Sequence, residues 1–187
     1  MQRRMRLVSV GLVAGLAVSL AACSENKAAT SSSGTDAGGD IKIGVVLDIT
    51  GAGASLGGPQ RQTVEMLADQ VNAAGGINGR KIKLSVEDDQ STEDGAAKAA
   101  TKLLNTEGVD ILLGASRTGP SLAMRPIAEK ASKPMISMAA NVAIVKDAKW
   151  IFKTAQNDRV VIEKMVDDMK AKGFTKVSIA RDASGFG

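Results

Sequence analysis

Ile41-Lys-Ile-Gly-Val-Val-Leu47 runs through Asp48 and Ile49 into Thr50-Gly-Ala-Gly-Ala-Ser-Leu-Gly-Gly58, and Pro59 follows. The first seven residues are rich in β-branched side chains and mostly apolar, the pattern of a strand buried on both faces of a parallel sheet. The glycine-rich stretch cannot continue a strand and reads as a loop. Pro59 then opens a helix, where its missing N–H costs nothing. Val64, Leu67, Ala68 and Val71 recur at helical spacing and predict that helix's inner face. Strand, glycine loop, helix is the first half of a βαβ unit.

The same alternation repeats downstream. Ala73-Ala-Gly-Gly-Ile-Asn-Gly79 ends the helix and turns the chain. Ile82, Leu84 and Val86 alternate as a second strand. Ser91-Thr-Glu-Asp94 starts a second helix, with an acceptor at its cap and acids in its first turn, that runs to about Glu107. Val109 to Leu113 is a third strand, Pro120 lies just inside the next helix, and Pro134 to Ser137 is a fourth strand. Trp150 to Phe152 reads as a fifth. Asn157 and Asp158 cap a helix carrying Ile162, Met165, Val166 and Met169, and Thr175 to Ala180 reads as a sixth strand. The fold class predicted is α/β: an open parallel sheet with helices on both faces. Ligands of such sheets sit beyond the carboxyl ends of the strands. That rule selects the loops after Leu47, Leu113 and Ile136, all rich in Gly, Ser, Thr and Ala.

The ends of the chain carry a different signal. Arg3, Arg4 and Arg6 precede an apolar run from Leu7 to Leu20, closed by Leu20-Ala-Ala-Cys23. A basic start, a short apolar core and small residues before a break describe a secretory signal peptide over residues 1–22. The ending resembles the bacterial lipobox, which implies lipid attachment at Cys23. Residues 23–40 hold no large apolar side chain and read as a flexible tether from that lipid. Without the three leader arginines, 21 basic residues face 20 acidic ones. That near balance argues against a nucleic-acid surface.

Composition removes several chemistries. The 187 residues contain no histidine and one cysteine, which excludes Ser-His-Asp and Cys-His catalysis and any disulfide framework. No enzyme activity, metal or cofactor is expected. Gly51-Ala-Gly53-Ala-Ser-Leu-Gly57 comes near the dinucleotide fingerprint, but its last spacing is one residue too long. Three residues separate strand from first glycine, and the acids Asp88 and Asp89 come about 35 residues after Gly53 rather than about 20. A loop whose glycines serve only to turn the chain is the plainer alternative. Met135 and Met138 read as core, and Asp88 and Asp89 as a cap that solvates a strand end. Lys164, Asp167, Asp168, Lys170 and Lys172 read as the wet face of a helix.

Six stretches in order carry a resemblance. They are Ile41 to Leu47, the Thr50-Gly loop leading to Leu56-Gly57, Ala73 to Gly79, Glu87 to Thr92, Leu113-Gly114, and Lys133 to Ser137. Together they resemble the periplasmic binding proteins of branched-chain amino-acid type, the extracellular solute receptors of ABC importers. The resemblance implies a type I periplasmic binding protein, with ligand-binding lobe 1 over residues 41–155 and the start of lobe 2 over residues 156–187. It also implies the site. Thr118, with Gly119 beside it, matches the position that holds the ligand carboxylate. Ala139, Ala140 and Asn141 match the loop that meets the ligand ammonium, where Thr is commoner than Asn. Leu56 matches a residue that covers the ligand, and Phe186 an aromatic from the second lobe. Arg117 beside Thr118 either favours a more acidic or aromatic carboxylate or is a solvated surface arginine.

The function implied is an exported, lipid-anchored solute receptor facing the periplasm or cell exterior. Its partners are a small amino acid or carboxylate, ABC permease subunits, and the membrane reached through the lipid. Branched-chain amino acids lead, with amides, urea-like solutes and aromatic acids sharing the architecture. A sensor of the same fold that informs a signalling partner is the second reading. Family members run to roughly twice this length, so a truncated single lobe, binding weakly or not at all, is the third.

Overall fold

A computed structural model describes residues 38–185; the leader, Cys23 and Phe186 lie outside them. The strands are β1 (Ile41–Leu47), β2 (Ile82–Asp88), β3 (Ile111–Gly114), β4 (Met135–Ser137) and β5 (Ile151–Lys153). The helices are α1 (Ala54–Ala73), α2 (Glu93–Lys102), α3 (Thr118–Ala131) and α4 (Asp158–Ala171). A π-turn over Leu103–Glu107 extends α2, and a short 3₁₀ turn spans Val142–Ile144. All five strands are parallel, in the order β2-β1-β3-β4-β5. The α/β open sheet expected from the alternation is the fold observed.

That order explains where the loops meet. The crossover from β1 to β2 moves one way along the sheet, and the crossover from β2 to β3 moves back past β1. Because such crossovers are right-handed, α1 lies on one face and α2 and α3 on the other. The packing of α2 against α3 agrees. The order therefore reverses between β1 and β3, and the loops leaving those two strands face one another across a crevice.

The core is aliphatic. Val46, Leu103, Leu112, Met124 and Met135 are fully buried, with Ala96, Ala99 and Ala100 on the inner face of α2. Small side chains there let α2 approach β1 and α3 closely.

Three expectations need correction. Helix α1 begins at Ala54, not at Pro59, which lies inside it. The first turn is wound by packing: a Cβ on Gly57 would stand 2.2 Å from the Asp48 carbonyl oxygen. Leu67 faces outward at 50 % exposure, since Gly57, Val64, Ala68 and Val71 already form the covered side. Residues 175–180 form no strand, with Val177 at 61 % and Ile179 at 91 % exposure. A strand needs a neighbour for its backbone groups, and no described residue pairs with this one. Helix α4, for the same want of a partner, buries no residue.

Candidate functional site

Three loops leave the carboxyl ends of β1, β3 and β4 and converge. Loop 48–53 meets loop 115–117 through the Asp48 amide, which donates to Ser116 Oγ at 3.3 Å. Ser116 Oγ donates in turn to Gln60 Oε1 of α1 at 2.6 Å. Loop 138–141 joins them through the Met138 amide, which donates to the Ala115 carbonyl at 3.2 Å. Beneath it Ser121 Oγ and Ser137 Oγ are hydrogen-bonded at 2.8 Å, and the Ala139 amide donates to Ser137 Oγ. The hydroxyls expected to line the loops thus mostly tie the loops to one another.

The glycines of the first loop have a packing reason. A Cβ on Gly53 would fall 1.8 Å from Asp48 Oδ2. Gly51 has φ +84, a conformation that L side chains rarely adopt. The loop bends around a buried carboxylate of its own chain, which accounts for the near-match to a phosphate-binding motif.

That carboxylate is one of three. Asp88 Oδ1 accepts the amides of Ile49, Thr50 and Gln90, and Oδ2 accepts Thr50 Oγ1 at 2.6 Å. Burial works against the Asp88 charge, yet these donors outweigh it and hold the carboxyl below its usual range. Asp48 and Asp89 are both fully buried. Asp48 Oδ2 accepts from Arg117 Nε, and Asp89 Oδ1 accepts the Ser91 amide at 2.8 Å. Asp48 Oδ1 and Asp89 Oδ2 have no donor. Burial, opposed by the Ser91 amide and reinforced by Asp48 and then Asp88, pushes the Asp89 carboxyl up to about 7. Asp89 is therefore not a solvated strand end, which corrects the sequence reading.

Arg117 is likewise no solvated surface arginine. Its side chain is 29 % exposed, bound to Asp48 and, through Nη2, to the Ser91 carbonyl at 2.7 Å. The residue is extended, with φ −121, and leads directly into α3. Thr118, the first residue of that helix, is 2 % exposed, and its buried Oγ1 has no hydrogen-bond partner.

The loops enclose a cleft of about 530 Å³. Leu56, Thr118, Ala139 and Ala140 all line it, with Ser116, Arg117 and Met138 beside them. Met138 is thus a cleft residue and Met135 a core one. Gly119 lines an adjoining recess of about 170 Å³, shared with Thr118, Glu93 and the segment Ala183–Gly185. Asn141 stands at the edge: its Oδ1 accepts the Ala143 amide, and its Nδ2 donates to the Gly185 carbonyl at 3.2 Å. Lys153 Nζ donates to the carbonyls of Ala140, Ala155 and Gln156 at 2.7, 2.9 and 3.1 Å. It fixes the third loop to the chain leaving β5.

Sequence reasoning missed Asp48, the burial of Asp89, Ser116 and Lys153. The first three sit within two residues of a strand's carboxyl end, the signal that could have found them. Lys153 carried none, because its partners are backbone carbonyls.

Comparison with known proteins places this geometry. Residues 40–187 match the family described as periplasmic binding protein. The Leu/Ile/Val-binding protein homolog 3 of Brucella melitensis is 28 % identical over 157 residues, which are 79 % of this chain and 41 % of that protein. An extracellular ligand-binding receptor from Rhodopseudomonas palustris HaA2 is 36 % identical with a TM-score of 0.66, over 72 % of this chain and 37 % of that one. The branched-chain amino-acid substrate-binding protein LivJ of Streptococcus pneumoniae, solved with isoleucine, is 31 % identical with a TM-score of 0.61. That likeness covers 63 % of this chain and 34 % of LivJ.

Proposed function

This chain belongs to the periplasmic binding protein family, whose members bind solutes outside the cytoplasm and are not enzymes, and we propose that it supplies the first ligand-binding lobe of an ABC importer's receptor. The ligand is a small amino acid, branched-chain first. The observation that carries this reading is Thr118 Oγ1, buried without a partner at the start of α3 and on the wall of the cleft. A buried hydroxyl without a partner is costly. A carboxylate placed there would accept it together with the amides of Thr118 and Gly119, at a helix start whose dipole favours negative charge. Leu56 and Met138 offer apolar surface for an aliphatic side chain.

One observation favours a second reading. The Ala140 carbonyl, in the loop where a ligand ammonium would dock, already accepts the Lys153 ammonium. A carboxylate without an ammonium group would avoid that like charge. Calorimetric titration with leucine, isoleucine and valine, each beside the 2-oxo acid of the same skeleton, separates the two. Amino acids binding tighter supports the first reading, and oxo acids binding tighter supports the second. Thr118→Ala is expected to weaken either by about tenfold or more, the worth of one hydrogen bond to a charged group. Silence from every ligand refutes both.

The export leader over residues 1–22, the lipid at Cys23, the tether and the lobe boundary near residue 155 complete the proposal. The mass of the mature protein tests the anchor. A diacylglyceryl-modified Cys23 at the new N-terminus is expected, and an unmodified one refutes it. The transport role is tested by retention of the receptor on its permease.

A further inference from the structure

We infer that Asp89 keeps a proton that it donates to Asp48, and that this proton fixes Arg117 in the cleft wall, so that the cleft captures carboxylates better in acidic than in alkaline surroundings. The inference rests on the cleft being the ligand site.

The two acids lie within side-chain hydrogen-bonding reach of each other. Both carboxyls are fully buried, and each has one oxygen occupied and one without a donor. Asp48 Oδ2 takes Arg117 Nε, and Asp89 Oδ1 takes the Ser91 amide. A proton on Asp89 Oδ2, donated to Asp48 Oδ1, satisfies both remaining oxygens at once. Charge makes the same demand. Two ionised carboxylates against one guanidinium would leave a net negative charge in a dry place, which burial penalises heavily. With one proton the trio is neutral. The lift of the Asp89 carboxyl toward neutrality agrees with that balance.

No other group supplies the missing charge. From the end of β2, Asp88 turns its carboxyl to the amides of Ile49, Thr50 and Gln90. From the first turn of α2, Glu93 lies beside Gly119, where an added Cβ would meet its Oε1 at 2.6 Å. Arg117 is the one cation on these acids among the described residues.

The consequence reaches the ligand through Arg117 and Thr118, which are adjacent in sequence and both line the cleft. Loss of the proton sets two carboxylates against each other, draws the guanidinium between them, and leaves negative charge behind the place where a carboxylate docks. The hold on a ligand's carboxylate at that place then weakens, by about tenfold for one extra nearby charge. Asp89 is a positioning residue here and touches no ligand.

The test uses the whole chain and begins without ligand. Carbon-13 NMR of the aspartate side chains is followed from about pH 5 to about pH 9, together with the Arg117 Nε–H resonance. One aspartate is expected to titrate near 7. It should be absent in Asp89→Asn, whose amide N–H replaces the proton, and the Arg117 resonance should move with the same midpoint. No aspartate titrating above about pH 5.5, or an Arg117 signal that ignores the titration, overturns the proposal. The wild-type titration stands even if the variant fails to fold. Leucine titration at about pH 5.5 and about pH 8.5 then reads the consequence, with tighter binding at the lower pH in wild type and a flat response in D89N. A flat response in wild type overturns the link to capture. If leucine binds at neither pH, the ligand assignment fails, and the NMR arm alone decides the proton.

Discussion

Asp88 and Asp89 are sequence neighbours with the same side chain, and the fold gives them opposite electrostatic fates. Asp88 gathers four donors and is held below the usual carboxylate range despite partial burial. Its native state therefore binds its proton less readily than the unfolded chain. It adds stability above the unfolded value of 3.8, and that contribution is lost as pH falls through the native value. Asp88→Asn should cost about 2 kcal/mol at neutral pH by thermal denaturation, and the gap to wild type should close in acid. An equal gap at every pH would mean that shape, not charge, is what Asp88 supplies. Asp89 has the reverse sign. Between 3.8 and about 7 the native state keeps a proton that the unfolded chain has lost, so stability falls as pH rises. The slope approaches about 1.4 kcal/mol per unit. Strand-end acids are legible in sequence as Asp-Asp after an alternating run. Which of them is solvated is not, because that depends on Asp48 and Arg117, about 40 and 28 residues away along the chain. The loops were legible for a related reason: glycine, serine and threonine after an apolar run mark a strand's carboxyl end wherever it lies. Ser116 and Asp48 were passed over because their partners come from other loops.

Elements were legible in proportion to how much their pattern depended on themselves. The apolar run of β1 and the caps of α2 and α4 identify those elements locally, and each is found within a few residues of its predicted span. Helix α1 starts early because Gly53 and Gly57 press on Asp48, a contact that no helix propensity contains. Residues 175–180 have the composition of a strand and no ladder, since pairing belongs to two segments and not to one. The same distinction separates two helices that look alike in sequence. Helix α3 buries Met124 completely against the core, whereas α4 buries nothing. Met124→Ala should lose about 2–5 kcal/mol, the cost of a large-to-small change in a packed interior. Ile162→Ser, on the apolar face of α4, should change stability by less than about 0.5 kcal/mol. Urea denaturation of both variants decides it. A large loss from I162S would mean that α4 is covered in solution.

At the scale of the whole molecule the apolar surface is unevenly placed. Fourteen large apolar side chains are exposed among the described residues, and eight of them lie between Val160 and Ile179. Four of them, Val161, Ile162, Met165 and Ile179, line a cavity of about 730 Å³ beside α4 and residues 179–182, larger than the loop cleft of about 530 Å³. Soluble monomers seldom leave a contiguous apolar patch of that kind uncovered. An environment-sensitive dye such as anilinonaphthalene sulfonate should bind the native chain and fluoresce strongly. The combined variant V161S/I162S/M165S removes three lining side chains without touching the sheet, so it should lose most of that signal while keeping its urea midpoint. Leucine tests the alternative location. If the dye sits instead in the cleft beside Leu56 and Met138, leucine should displace it and the triple variant should not dim it. Fluorescence that survives both treatments would place the dye on the remaining exposed side chains, Met66, Leu67 and Ile77 among them, and would leave the α4 face covered by something the chain itself provides.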